Sequence, residues 1–332
     1  MLRGRGGWFP SFDPVGRRIR FHPPDSLVEV TCRTVQGRFL LQPTPLIADL
    51  CRGVLARAVR LYPVQVHAFV FLGNHYHLLL TVQSAARLAA FMNYLNSNLA
   101  REVGRAVRWR EKFWGRRYQA ILVSEEPAAQ VDRLLYLLRH GCKENLVRRP
   151  EEWPGANAVR NLLFGEPVTG HWFDRTRSHR AAHRCGLLER QDFVSVERFE
   201  LSPLPCWTQL STEELRARLA DLVDSVEAET VRRAENGREP LGRARLARQN
   251  PHDAPSRVAR RPAPLVHAAS KAVRDTVRAA YRRFVQVYRE ASIRFRRGGD
   301  LRELLARFPV GSFLPPGPFV AESPAISTGW PV

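Results

Sequence analysis

The stretch Gly73-Asn74-His75-Tyr76-His77-Leu78-Leu79-Leu80, GNHYHLLL, decides how this chain is read. Side chains two apart on a β-strand point to the same face, so His75 and His77 would present two imidazoles side by side. Tyr76, Leu78 and Leu80 would turn the other way, into a core. Adjacent neutral imidazoles are a start for binding a divalent metal, although a pair on a strand can equally be solvated or hydrogen-bonded. Upstream, Val64 to Leu72 reads as another strand, and Gly73-Asn74 is the natural connection of a hairpin.

Working outward, Leu27 to Cys32 is β-rich, and Thr44 to Tyr62 carries apolar residues at helical spacing. Ser84 opens a helix that runs to about Val103, with Leu88, Phe91, Met92, Leu95 and Leu99 on one face. Tyr118 to Val123 is a fourth strand. Ser124-Glu125-Glu126-Pro127 marks a helix start, and that helix is expected to end near His140 with Gly141 as its cap. The order βαββαβ predicts an α+β chain with a ferredoxin-like domain. A mixed helical stretch, a charged helix over Thr212 to Glu235 and a long helix from about Val266 to Arg296 should follow.

The 332 residues are 44% apolar, enough for real cores, and 52 Lys and Arg against 32 Asp and Glu give a net charge of +20. Such an excess favours polyanionic partners, nucleic acid first, and arginine supplies nearly all of it. The five cysteines form no CxxC pair, which argues against a zinc ribbon or a disulfide scaffold. With no apolar leader and no run long enough for a membrane span, a cytoplasmic, nucleoid-associated protein without a membrane partner is expected.

Helix 127–140 carries the decisive side chains. Val131, Leu134, Leu135, Leu138 and Cys142 form its expected buried stripe. Tyr136 and His140 lie on the other side, four apart and therefore stacked. If the helix packs beside the HYH strand, His75, His77 and His140 could share one divalent ion with Tyr136 next to it. Tyr94 and Tyr118 are the rival tyrosines, but one sits among asparagines and the other follows two arginines.

NHYHLLL resembles the His-hydrophobic-His signature of single-tyrosine HUH transposases, especially the REP-associated tyrosine transposases. The resemblance runs through WREKFWGRRYQAILV and YLLRHGCKENLVRRPEEWPG, where Tyr136, Leu146, Val147, Trp153 and Pro154 fall at the family's offsets. It covers about residues 20 to 165. It implies a metal-dependent endonuclease and strand transferase that acts on hairpins of single-stranded DNA. Tyr136 would be the nucleophile and form a 5′-phosphotyrosine, with Mg²⁺ or Mn²⁺ as cofactor. The family's Asn-Pro is His140-Gly141 here, and three imidazoles suit Mn, Zn, Co or Ni better than Mg.

Candidate nucleic-acid contacts are Arg110, Lys112, Trp114, Arg116 and Arg117 in a basic, aromatic loop, Arg139 and Lys143 near the tyrosine, and Arg274, Arg278 and Arg282 on the last long helix. Residues 243 to 297 hold 15 basic and 3 acidic side chains, a bias beyond an ordinary solvated face. His171, His179, His183, His252 and His267 lack the spacing of a site. The chain divides into a basic arm (1–26), the nuclease-like domain (27–165), a mixed helical region (166–248), a basic proline-rich linker (249–264) and a C-terminal helix with an extended tail (265–332). Two other readings stay open: a non-catalytic DNA- or RNA-hairpin-binding protein on the same fold, and a metal-dependent hydrolase that uses water. Monomer and homodimer are both open.

Overall fold

The computed structural model describes residues 18–182, 189–237, 239–256 and 263–314. The first part of the described chain runs β1 (Ser26–Arg33), α1 (Pro45–Leu61), β2 (Gln65–Leu72), β3 (His75–Val82), α2 (Ala85–Ala106), β4 (Gln119–Val123) and α3 (Pro127–Leu138). Its strands stand in the order β2-β3-β1-β4, every pair antiparallel. This is the expected ferredoxin-like arrangement. Helix α2 starts where the sequence places its cap, with Ser84 Oγ accepting from the Arg87 N–H at 3.2 Å, and Thr44 Oγ1 caps α1 by accepting from the Ile47 N–H at 3.3 Å.

Leu78, Leu79 and Leu80 are all fully buried, because helices cover both faces of the sheet. Each such side chain contributes roughly 1.5–3 kcal/mol by leaving water. On the face shared with α1 and α2, the Tyr76 hydroxyl donates to Asn96 Oδ1 at 2.7 Å. Alternation then turns His75 and His77 to the opposite face, under α3.

Both outer strands are partly capped. Segment 156–158 bonds along β2, with Phe71 N–H donating to Ala156 O at 2.8 Å and Ala158 N–H to Phe69 O at 3.0 Å. Beside β4 lies β7 (Val266–His267), which is parallel and pairs Leu122 with Val266 and Val123 with His267.

The structure corrects several sequence expectations. Helix α3 stops at Leu138, and after Arg139 a separate turn, α4 (His140–Lys143), carries both His140 and Gly141. Gly141 is therefore no cap. A β-carbon there would stand 3.2 Å from Val147 Cγ2 and 3.4 Å from Trp153 Cε3. In α3, Val131 and Leu135 of the expected stripe are only partly buried, whereas Ala129, Gln130 and Leu137 join Leu134 and Leu138 inside.

After α5 (Val159–Phe164), the mixed helical region contains α6 (Arg175–Ala182), but also an unexpected antiparallel pair, β5 (Val168–Phe173) and β6 (Val194–Phe199). The pair packs on α1 at a contact only glycines allow: a β-carbon on Gly53 would lie 2.1 Å from His171 O. Helix α7 (Thr212–Glu235) is as expected, and α8 (Arg243–Arg248) follows. The last long helix, α9 (Lys271–Arg297), begins five residues later than expected because Val266 and His267 are strand; α10 (Leu301–Ala306) closes the described fold.

The basic arm and linker are tied down where they are described. Phe21 packs on Phe284 with ring centroids 4.6 Å apart, and Asp253 O accepts from the Phe39 N–H at 3.0 Å. Residues 1–17 of the arm, the tail beyond 314 and His183 lie outside the described residues. No described helix is long and apolar enough to cross a membrane.

Candidate active site

His75 and His77 point from β3 toward α3 and α4, where His140 and Tyr136 meet them. Ring centroids stand 5.0 Å apart for His75–His77, 5.1 Å for His75–His140 and 4.8 Å for His77–His140. Tyr136 closes the group, edge-on to His77 at 5.4 Å and to His140 at 5.0 Å. One nitrogen from each histidine falls within 4.8 Å of the other two. All three expected metal ligands and the expected nucleophile are thus brought together, although they come from elements some 65 residues apart.

The orientation of each ring has a cause. Asn74 sits in the hairpin turn; its amide nitrogen donates to Gly37 O at 3.1 Å, which leaves Oδ1 to accept from His75 Nδ1 at 2.6 Å. His77 Nδ1 donates to Glu29 Oε1 at 2.7 Å. Fixing the Nδ1 proton in this way leaves Nε2 as the free lone pair of both rings.

Behind His140, Trp153 donates its indole N–H to Phe71 O at 2.8 Å and packs against Gly141. Leu146 N–H bonds Gly141 O at 3.0 Å. The segment that follows the tyrosine is therefore the seat that holds His140 toward the sheet.

The electrostatics suit a cation. Burial is the main reason why His75 is held well below its ordinary pKa and His140 is lowered to about 3, with the neighbouring His77 adding to both. These rings are neutral and available as ligands at neutral pH. His75 Nε2 lies 3.2 Å from His140 Nε2, so two lone pairs must share a proton or a positive ion. His77 Nε2 and His140 Nδ1 are buried with no hydrogen-bond partner. An orphaned, correctly tautomerised imidazole nitrogen within a triad is what a divalent metal requires, so the donor set fits such an ion.

Glu29 answers this charge from β1. Burial alone would raise its pKa, but His267 and His77 hold it well below the usual carboxylate range. Arg133 Nη1 adds an ion pair to Glu29 Oε2 at 3.5 Å. Arg133 and Lys143 also lie 4.8 and 5.1 Å from the centre of the Tyr136 ring. Burial pushes the Tyr136 hydroxyl above its ordinary pKa, so it is a neutral phenol at pH 7.

The rival tyrosines are engaged elsewhere. Tyr94 Oη accepts from Arg57 Nε at 3.1 Å, and Tyr118 is buried beneath Arg20.

Of the expected nucleic-acid contacts, Arg110, Lys112, Arg116 and Arg117 are exposed on the loop between α2 and β4. That loop is bonded to the end of β1, with Gly115 N–H donating to Arg33 O at 2.9 Å, and Arg33 pairs across the ladder with His75. The basic loop thus borders the histidines. Trp114 anchors it: the indole donates to Asn96 O at 2.8 Å and the ring stands edge-on to Tyr76 at 5.5 Å. Arg139 is half-buried, with an unpartnered Nε, one residue before His140.

On α9, Arg274 bonds Ala268 O at 3.2 Å, Arg278 pairs with Asp275 at 3.2 Å and Arg282 is exposed.

Sequence reasoning missed Glu29, Asn74, Arg33, Arg133 and His267. Glu29 alone carried a signal, as an acid inside the apolar strand LVEVTC.

Residues 36–135 match the model of the family described as "Transposase IS200 like", a match that ends one residue before Tyr136. No curated protein matches the chain. Among solved structures, one similar chain is a REP-associated tyrosine transposase bound to a REP hairpin. It is 15% identical at a TM-score of 0.37, over 53% of this chain and 90% of that one. Another is a candidate transposase from Deinococcus radiodurans R1, 19% identical at a TM-score of 0.26, over 41% of this chain and 95% of that one. Residues 36–135, which hold the histidine pair, are thus similar to the IS200-like transposases, the resemblance that the sequence motifs carry.

Proposed function

We propose that this protein cuts and rejoins single-stranded DNA at hairpins, with Tyr136 as nucleophile and a divalent metal held by His75, His77 and His140. The observation that carries the reading is the meeting of three imidazoles and one phenol at a single, largely enclosed point. The match to IS200-like transposases supports a DNA-processing role. The hairpin is the partner that the resemblance implies.

In the reaction, Tyr136 Oη attacks a backbone phosphorus. The new Tyr–O–P bond forms as the bond from phosphorus to the 3′-oxygen breaks. The phenol proton passes to solvent, and the released 3′-oxygen takes one up. The product is a 5′-phosphotyrosine that keeps the energy of the phosphodiester, so rejoining needs no nucleotide. A bound metal would polarise the phosphate and offset the charge that gathers on its non-bridging oxygens.

This chain's own residues supply the rest. Arg133 and Lys143 flank the ring of a phenol that is a poor nucleophile while protonated, and favour its anion. The exposed arginines of the α2–β4 loop hold the backbone beside His75. Mn²⁺ serves this site at least as well as Mg²⁺, because imidazole nitrogen suits the softer ion.

The test is incubation of the protein with labelled single-stranded hairpin oligonucleotides and Mn²⁺ or Mg²⁺. A denaturation-resistant protein–DNA adduct, lost in Tyr136→Phe with binding kept, is the expected result. Cleavage that survives Tyr136→Phe would instead point to water as the nucleophile. Binding without any adduct would leave a hairpin-binding protein.

A further inference from the structure

We propose that His267, on the C-terminal strand β7, is a positioning residue for the metal-holding histidines, acting through Glu29. The inference rests on the metal-dependent reading above.

Sheet register makes the contact. Glu29 pairs with Ile121 of β4, and Val123, two residues on, pairs with His267 of β7. Alternation puts all four side chains on the face that carries His77. His267 Nε2 reaches 2.9 Å from Glu29 Oε2, an ion-pair approach rather than an aligned hydrogen bond, while Oε1 of the same carboxylate takes the His77 Nδ1 proton.

Glu29 is 3% exposed. A carboxylate that deep needs compensation on both oxygens, or it turns away or protonates. Its partners come from three separate segments: His77 from β3, Arg133 from α3 and His267 from β7. Arg133 also ion-pairs with Asp132, which draws on the same guanidinium. His267 is then the partner that keeps Oε2 engaged and Oε1 aimed at His77.

The strand that carries His267 is itself fixed to the start of α3. The Ala269 and Ser270 N–H groups donate to Glu126 at 2.9 and 3.0 Å, and Ser124 N–H bonds His267 O at 2.9 Å. A segment far along the chain thereby buttresses a site whose other members all lie within the first 143 residues.

The test uses the full-length protein and Mn²⁺ titration followed by electron paramagnetic resonance, alongside thermal melting. His267→Ala should weaken Mn²⁺ binding about tenfold, the lower end of what loss of a group behind a ligating histidine costs. Cleavage should then need a correspondingly higher Mn²⁺ concentration to reach half its maximum. His267→Gln, whose amide can still donate to Glu29, should recover most of the affinity. Val266→Ala should lower the melting temperature and leave Mn²⁺ affinity alone.

Wild-type affinity in His267→Ala would overturn the proposal, as would equal losses in His267→Ala and Val266→Ala. If His267→Ala does not fold, His267→Gln binding no better than a folded Glu29→Gln variant would also overturn it. A wild-type protein that binds no Mn²⁺ would sink the metal reading itself.

Discussion

Trp153 offers the sharpest check on how His140 is held. It is 5% exposed, donates its indole N–H to Phe71 O at 2.8 Å and lies against Gly141, the residue after His140. Trp153→Phe keeps most of the apolar surface but leaves Phe71 O without this donor. The cost of such an unpaired buried acceptor is about 1–3 kcal/mol. Trp153→Ala also opens a cavity and should cost about 3–5 kcal/mol. Urea unfolding followed by circular dichroism measures both values. Because α4 rests on this ring, Mn²⁺ affinity should fall in each variant, and more in Trp153→Ala. Neither substitution touches a charge or a ligand, so the loss can come only through the position of His140. A Trp153→Ala protein that is destabilised as stated yet binds Mn²⁺ like wild type would refute the reasoning.

Three further outcomes are expected. Asn74→Ala removes the acceptor that fixes the His75 tautomer, and Mn²⁺ affinity should drop about 10–100-fold, read by titration calorimetry. Without metal, stability should fall as pH drops from 7 to 5: the unfolded chain takes up protons near pH 6.5 that His140, lowered to about 3 chiefly by burial, refuses when folded. That one group forfeits about 2 kcal/mol at pH 5, and a melting temperature that is flat or rises on acidification would contradict it. Replacing Arg274, Arg278 and Arg282 together with Ala should flatten the salt dependence of single-strand binding by about 0.7 per lost phosphate contact, measured by fluorescence anisotropy. An unchanged slope would remove α9 from the DNA path.

The first domain was legible in the sequence because its signals are local. Hydrophobic period, the cap at Ser84, and the two-residue turn at Gly73-Asn74 each act within a few residues. The histidine triad was legible for the same reason in its parts: alternation fixes His75 and His77, and helical spacing joins Tyr136 to His140.

The missed features are long-range or short. Two residues of parallel strand at Val266–His267 have no period to read, and their partner β4 lies over 140 residues earlier. The stripe on α3 was misjudged because the side bearing Tyr136 faces protein as well, against His77 and His140. For β6 the apolar pattern misleads: Val194 and Val196 are exposed, and the buried residues are Phe199 and Glu197, the latter held against Arg57 and Arg60.

The capped borders of the main sheet limit how two copies of this chain could join. Unpaired strand edges are the usual template for intermolecular pairing. Here the outer side of β2 is occupied at Phe69 and Phe71 by the chain's own 156–158, and the end of β4 by Val266 and His267. Self-association by continuing one sheet into another is therefore obstructed, and so is the fibrillar stacking that begins in the same way. A dimer of this protein that spared the main sheet would use helix faces, loops or the β5–β6 pair, and the chain's arginine-rich surfaces repel their own likeness until a polyanion lies between them.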